Sequence, residues 1–163
     1  MNETYETPPD HEVERFARGV GARLRAVRQA RSLSLEDVQR ASGGRWSASA
    51  IGAYERGFRN LSVPRLKELS AFFAVPMGAL LGEANGNAAA LDGVEVDLDR
   101  LAVSSTATPA RRYLRSVARS RGDTDRHRVA LRPEDVSVLT ALLQMDSSAL
   151  ADRLREWGAI RSQ

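Results

Sequence analysis

Four apolar residues, Phe16, Val20, Leu24 and Val27, recur at helical spacing in a stretch whose other positions carry Arg15, Arg18, Arg23, Arg25 and Arg28. Such a segment is a stable helix only if its apolar stripe is buried against something else. The following residues supply the partners. Ser34 reads as the cap of a second helix running to Ser42, with Asp37 as its capping-box partner and Leu35, Val38 and Ala41 directed inward. Gly43-Gly44 ends it. A third helix lies between Arg45 and Gly57, with small residues on its outer side. A fourth starts near Pro64 and buries Leu66, Leu69 and Phe73, and Val75-Pro76 leads into a last one ending at Leu80-Leu81. Five short helices joined by tight turns predict a compact all-α domain over residues 15–82. Residues 1–14, polar and carrying Pro8 and Pro9, read as a disordered arm.

Charge divides the chain. Residues 11–82 hold twelve Arg or Lys against six Asp or Glu, a balance of +6, whereas residues 91–163 hold twelve against eleven, a balance of +1. The first half is therefore the one suited to a polyanion. There is no apolar run long enough for a bilayer and no basic, apolar leader at the N-terminus, so the expected location is cytoplasmic, with no membrane partner. The absence of cysteine excludes disulfides, thiolate metal sites and a Cys nucleophile. With two histidines, no metal-ligand cluster, no activated nucleophile and no Gly-rich phosphate cradle, no enzyme activity, metal or cofactor is expected.

Ile51, Glu55-Arg56-Gly57, Leu66, Leu69, Val75 and Leu80-Leu81 together resemble the helix-turn-helix domain of the phage-repressor (Cro/C1, or XRE) family. The resemblance implies that the helix from Ser34 to Ser42 lies across a DNA backbone and that the helix from Ser47 to Arg56 enters the major groove of double-stranded DNA. Ser47, Ala48, Ser49 and Ala53 would face base edges, and Arg45, Arg56 and Arg59 would hold phosphates or reach bases. It also implies an ion pair between Glu55 and Arg28. Two departures stand out: Leu35 replaces the glutamine that often opens the second helix, and the turn is lengthened to Gly43-Gly44-Arg45-Trp46. Trp46 is expected to wedge that longer turn, and Ile51 and Tyr54 to be core.

Residues 83–92 lack apolar periodicity and read as a linker. Beyond them, residues 93–160 predict a small, mostly helical domain with one or two short strands. Val94, Val96 and Leu98 alternate with acidic residues, and Arg128 to Leu131 offers a second strand. Thr108-Pro109 opens a helix through Tyr113, Leu114 and Val117 that ends at Gly122. Pro133 opens another through Leu139, Leu142 and Leu143. Asp146 or Ser147 caps a last one through Leu150, Leu154 and Trp157, stopped by Gly158.

Two charged clusters stand at helix ends in this half: Arg121-Gly122-Asp123 and, after eight residues, Arg132-Pro133-Glu134-Asp135. An Arg fork can lie on a purine or grip O6 and N7 of guanine, and a carboxylate can accept from the N1 and N2 protons of the same base. The same residues also read as helix-end chemistry, with Gly122 closing one helix and Asp135 near the start of the next.

Gly44-Arg45-Trp46, Tyr54-Glu55-Arg56-Gly57, the two spaced clusters and Trp157-Gly158 are similar to the BldD-type regulators of sporulating actinomycetes, over residues 15–160. That resemblance implies a DNA-binding repressor of developmental genes controlled by cyclic di-GMP. The ligand, stacked as a tetramer, would bridge two C-terminal domains into a homodimer that binds a pseudo-palindromic operator. Arg121, Gly122, Asp123, Arg132, Glu134 and Asp135 would form the ligand site, the two arginines meeting guanine and phosphate and Asp123 and Asp135 the guanine edge. Pro133 and Glu134 depart from the Gln and Asp usual there, and Arg126 and Arg128 would add to the attracting field. The alternative is a constitutive DNA-binding regulator whose C-terminal domain only dimerises or recruits a protein. It expects Arg121, Asp123, Arg132 and Asp135 to pair among themselves.

Overall fold

The first helix, α1 (Asp10–Ala30), is the longest in the chain and serves both halves of the molecule. The computed structural model describes residues 10–83 and 91–160. Most of the expected linker and the first nine residues of the expected arm lie outside that range. Residues 10–14, expected in the arm, instead form the start of α1, with Asp10 and Glu12 favourably placed at its positive end. A consequence is that Phe16, expected on the buried stripe, is 56% exposed, because the first turns of α1 project beyond the core that covers Val20, Leu24 and Val27.

Four helices follow: α2 (Leu35–Ala41), which packs on α3 (Ala48–Glu55), and α4 (Val63–Phe72), which packs on α5 (Met77–Leu81), with α3 and α5 resting on α1. Ser34 and Asp37 form a reciprocal capping box: Asp37 N–H donates to Ser34 Oγ at 3.0 Å, and Ser34 N–H donates to Asp37 Oδ2 at 2.9 Å. Ser47 and Ser62 cap α3 and α4 in the same sense. Val38 is buried, Leu35 half-buried, and Ala41 is exposed, contrary to its expected inward position, since a seven-residue helix presents little more than one turn to the core. Gly43 and Gly44 both take positive φ, 65° and 76°, which makes the extended turn before α3. Trp46 fills the space under that turn, edge-on to Phe72 with ring centroids 5.3 Å apart. Ile51, Leu69 and Phe73 are fully buried, each such side chain worth roughly 1.5–3 kcal/mol relative to exposure.

The second half starts with a two-stranded antiparallel ladder, β1 (Glu95–Asp97) and β2 (Arg128–Ala130), in which Val96 faces Val129. Two short 3-10 turns, Arg100–Ala102 and Ser105–Ala107, lead into α6 (Thr108–Arg121), and α7 (Pro133–Leu143) and α8 (Ser147–Glu156) follow β2. Apolar side chains of both halves join in one core. Two interhalf contacts account for this: α6 runs along α1, and α7 abuts α5. Among the described residues no helix is long and apolar enough to cross a membrane.

Candidate nucleic-acid and anion-binding sites

Helices α2 and α3 make the two-helix unit expected of a DNA reader, and three polar devices fix its geometry. The Gln39 side chain in α2 accepts from Ala48 N–H at 2.8 Å, so it occupies a donor at the start of α3 that would otherwise lack a partner. Nothing in the periodicity singled out Gln39; its position nine residues before Ala48 was the available signal. Arg28 in α1 grips Glu55 at the end of α3, Nε to Oε1 at 2.6 Å and Nη2 to Oε2 at 2.9 Å, while Nη1 donates to Leu33 O at 2.6 Å. Gly21 permits this approach, since a Cβ there would lie 2.6 Å from Glu55 O and even closer to Tyr54 O.

The side chains expected to meet DNA lie on α3 and beside its two ends. Ser47 and Ser49 are exposed at the start of α3, their hydroxyls 3.1 Å apart, and Ala48 and Ala53 are half-exposed on the helix. Arg45 is exposed beside Glu68, at 3.6 Å, and the same carboxylate holds Arg65 at 2.8 Å. Arg56 lies over the exposed Phe58 ring and Arg59 over the Tyr54 ring, each 5.6 Å from the centroid. Ser47, Ala48, Ser49 and Ala53 thus share one short helix, with Arg45 before it and Arg56 and Arg59 at its far end. Trp46, Ile51 and Tyr54 are buried, as core residues should be.

The two charged clusters of the second half also come together. α6 ends at Arg121, with Gly122 at φ 75° closing it, and α7 starts from Arg132, so the eight-residue spacer forms a turn and the β2 strand that returns the chain. Asp125 builds that turn by accepting from His127 N–H at 2.8 Å and Arg128 N–H at 3.1 Å. Those bonds, that to His127 first, hold its carboxyl below the usual carboxylate value. Arg121 Nη2 then lies 2.8 Å from both oxygens of Asp135 and 3.6 Å from Glu134 Oε1.

Asp135 differs from its expected role as an acceptor open to a base. Its side chain is fully buried, and it accepts from Tyr113 Oη–H at 3.0 Å and Arg132 N–H at 2.9 Å as well as from Arg121. Arg132 has no acceptor on its own side chain, so only this half of a capping box forms. Burial raises the Asp135 carboxyl above its ordinary value, and the Arg121 charge opposes the rise. Burial and then the Asp135 charge push the Tyr113 phenol well above its ordinary value, so it remains a donor. Tyr113 was visible in the sequence only as an apolar helix position.

The rest of the cluster is open. Gly122, Asp123 and Arg132 are exposed, and neither the Asp123 carboxylate nor the Arg132 guanidinium has an ion pair among the described residues. Glu134 is mostly covered, with its side chain 13% exposed. Arg126 is exposed, while Arg128 lies 3.6 Å from Glu95.

Comparison with known proteins gives each half a relation. The family model for a helix-turn-helix matches residues 24–80, and the model for the C-terminal domain of BldD-like DNA-binding proteins matches residues 94–160. The solved DNA-binding domain of S. venezulae BldD is 47% identical to this chain, covering 40% of it and 96% of that domain, with a TM-score of 0.40. A second crystal structure of a BldD DNA-binding domain is 46% identical, covering 41% of this chain and 94% of the other, with a TM-score of 0.41. No curated protein matches the chain.

Proposed function

Since this chain belongs to the BldD-type family of helix-turn-helix DNA-binding regulators, we propose that cyclic di-GMP bound at its C-terminal half controls how it dimerises and grips DNA. The regulator represses developmental genes from a pseudo-palindromic operator. A stacked cyclic di-GMP tetramer bridges two C-terminal halves, and the second half-site contact becomes intramolecular, raising apparent affinity by about 10² to 10⁴. By linkage, DNA then tightens ligand binding by the same factor.

The observation that carries this reading is the meeting of Arg121 and Asp135 across the α6–α7 junction at 2.8 Å, with Asp123 and Arg132 exposed beside it. Asp135 spends its charge on setting Arg121, whose hydrogen bonds among the described residues use Nη2. Nε and Nη1 are left to meet guanine or phosphate, together with the Arg132 fork. Asp123 is the carboxylate placed to accept from a guanine edge.

The test is a calorimetric titration of the protein with cyclic di-GMP, with cyclic di-AMP as control and Asp123→Ala and Arg132→Ala as variants. Both residues are exposed, so both variants should fold. Saturable, guanine-selective binding is expected, lost or weakened at least tenfold in each variant. No heat well above micromolar ligand would instead favour a constitutive DNA-binding regulator whose C-terminal half dimerises or recruits a protein. The Arg121–Asp135 pair is the observation on that side, since it satisfies two members of the cluster without any ligand.

A further inference from the structure

The seam between the two halves of the chain runs over part of this ligand site. Arg23, on α1 of the DNA-binding half, places Nη2 3.8 Å from Glu134 Oε1, the same oxygen that lies 3.6 Å from Arg121 Nη2. The side chains of Arg23, Arg121 and Glu134 are 22%, 12% and 13% exposed, and that of Asp135 is wholly covered. Two guanidinium groups and two carboxylates therefore neutralise one another inside the seam. A ligand that takes Arg121 and Glu134 must take them from this arrangement, whereas Asp123 and Arg132 are open without any change.

A second observation concerns how firmly the seam is held. Beside it runs a crevice of about 440 Å³, lined by Arg18, Arg25 and Arg56 from the DNA-binding half and by Arg119 from α6. The one carboxylate facing it, Glu55, is already gripped by Arg28. Arg18 is paired with Glu14 at 3.4 Å, so docking brings the guanidinium groups of Arg25 and Arg56 to one crevice with Arg119, a repulsive element beside an apolar contact. The Arg23–Glu134 pair that offsets it is long, 3.8 Å, and shares its carboxylate oxygen with Arg121.

We propose that the docked arrangement is the ligand-free form of the regulator, with Arg23 as a latch on Glu134, and that docking of the halves and binding of cyclic di-GMP exclude one another. The inference rests on reading the two clusters as a cyclic di-GMP site. A ligand carrying two phosphates supplies Arg121 with a stronger partner than a shared carboxylate, and the loss of Glu134 releases Arg23. Arg56, one of the side chains expected to meet DNA, lines the same crevice as α6, so release also clears the end of α3.

The chain has no cysteine, so two spin labels can be placed without background, at Arg25→Cys and Ser120→Cys, exposed positions that line the crevice from opposite sides. Dilution with unlabelled protein confines the readout to distances within one chain. A short distance is expected without ligand, and a longer, broader distribution with saturating cyclic di-GMP. Arg23→Gln should lengthen part of the population without ligand and tighten cyclic di-GMP binding at least threefold in calorimetry. Arg23→Glu, which sets like charges against each other at Glu134, should go further.

A long distance in the ligand-free protein would overturn the docked form, and a short distance persisting at saturation would overturn the exclusion. Weaker binding by Arg23→Gln would make Arg23 part of the ligand site and sink the latch. Absence of binding heat in the parent protein would remove the ligand reading and the coupling with it; binding with an unmoved distance would remove the coupling alone. Melting curves check that the variants fold, and should either unfold, the labelled parent with and without ligand still decides.

Discussion

Among the described residues, the pairs Arg28–Glu55 and Arg121–Asp135 each bury an arginine against a carboxylate, and they are built differently. Arg28 commits all three of its nitrogens, two to Glu55 and one to Leu33 O. Arg121 commits one, Nη2, and lets it serve both oxygens of Asp135. The first pair ties α1 to α3 with every nitrogen of its guanidinium engaged. In the second, the carboxylate is the saturated member, with four donor contacts from three residues, while the guanidinium retains free donors. The first pair engages its cation at every nitrogen, whereas the second saturates its anion and leaves Nε and Nη1 of a covered guanidinium without a hydrogen bond among the described residues.

The strongest test of this contrast is Glu55→Ala. It strands Arg28 in the core and should cost about 3–5 kcal/mol, read by chemical denaturation. Tyr113→Phe, at the other pair, deletes one of several donors to Asp135 and should cost about 1 kcal/mol by the same measurement. A loss there as large as that of Glu55→Ala would mean that Asp135 is not saturated and would erase the distinction.

The subtlest expectation concerns protons. Burial raises the Asp135 carboxyl above its ordinary value, so the folded state holds that proton more tightly than the unfolded state does. Its contribution to stability is complete below the ordinary carboxylate value and is lost as pH rises through the raised one. Asp97, lowered first by its bond from Arg100 N–H and opposed by desolvation, has the opposite sign: its contribution is present above the ordinary value and lost as pH falls through the lowered one. Carboxylate NMR titration should place the Asp135 midpoint above 3.8 and that of Asp97 below it. An Asp135 midpoint below 3.8 would show that Arg121 outweighs burial.

Much of the fold was legible because its signals are local. Ser34 with Asp37 sets the start of α2, Gly43-Gly44 its end, and the stripe of Val20, Leu24 and Val27 the buried face of α1. The meeting of the two charged clusters was legible as well, since helix-end and helix-start signals flank a spacer with strand character. The hidden part depends on contacts between elements. Tyr113 reaches Asp135 across 22 positions, and Arg23 reaches Glu134 across the two halves. Periodicity marks which face of a helix is buried but not which polar atom at its edge finds a partner. The Arg28–Glu55 pair came from family resemblance rather than from spacing, and Phe16 misled because an apolar stripe does not say where the core ends.

The ladder between β1 and β2 also acts as a ruler. Val129 points into the core between exposed Arg128 and Ala130, and side chains along a strand alternate. Adding or removing one residue between Asp123 and Arg132 would either turn Val129 out to water or shift where α7 begins relative to the end of α6. The pairing therefore constrains how many residues lie between the two clusters more tightly than which residues they are. The spacing is thus a length held by backbone pairing, and it can persist where the identities of the spacer residues have been lost.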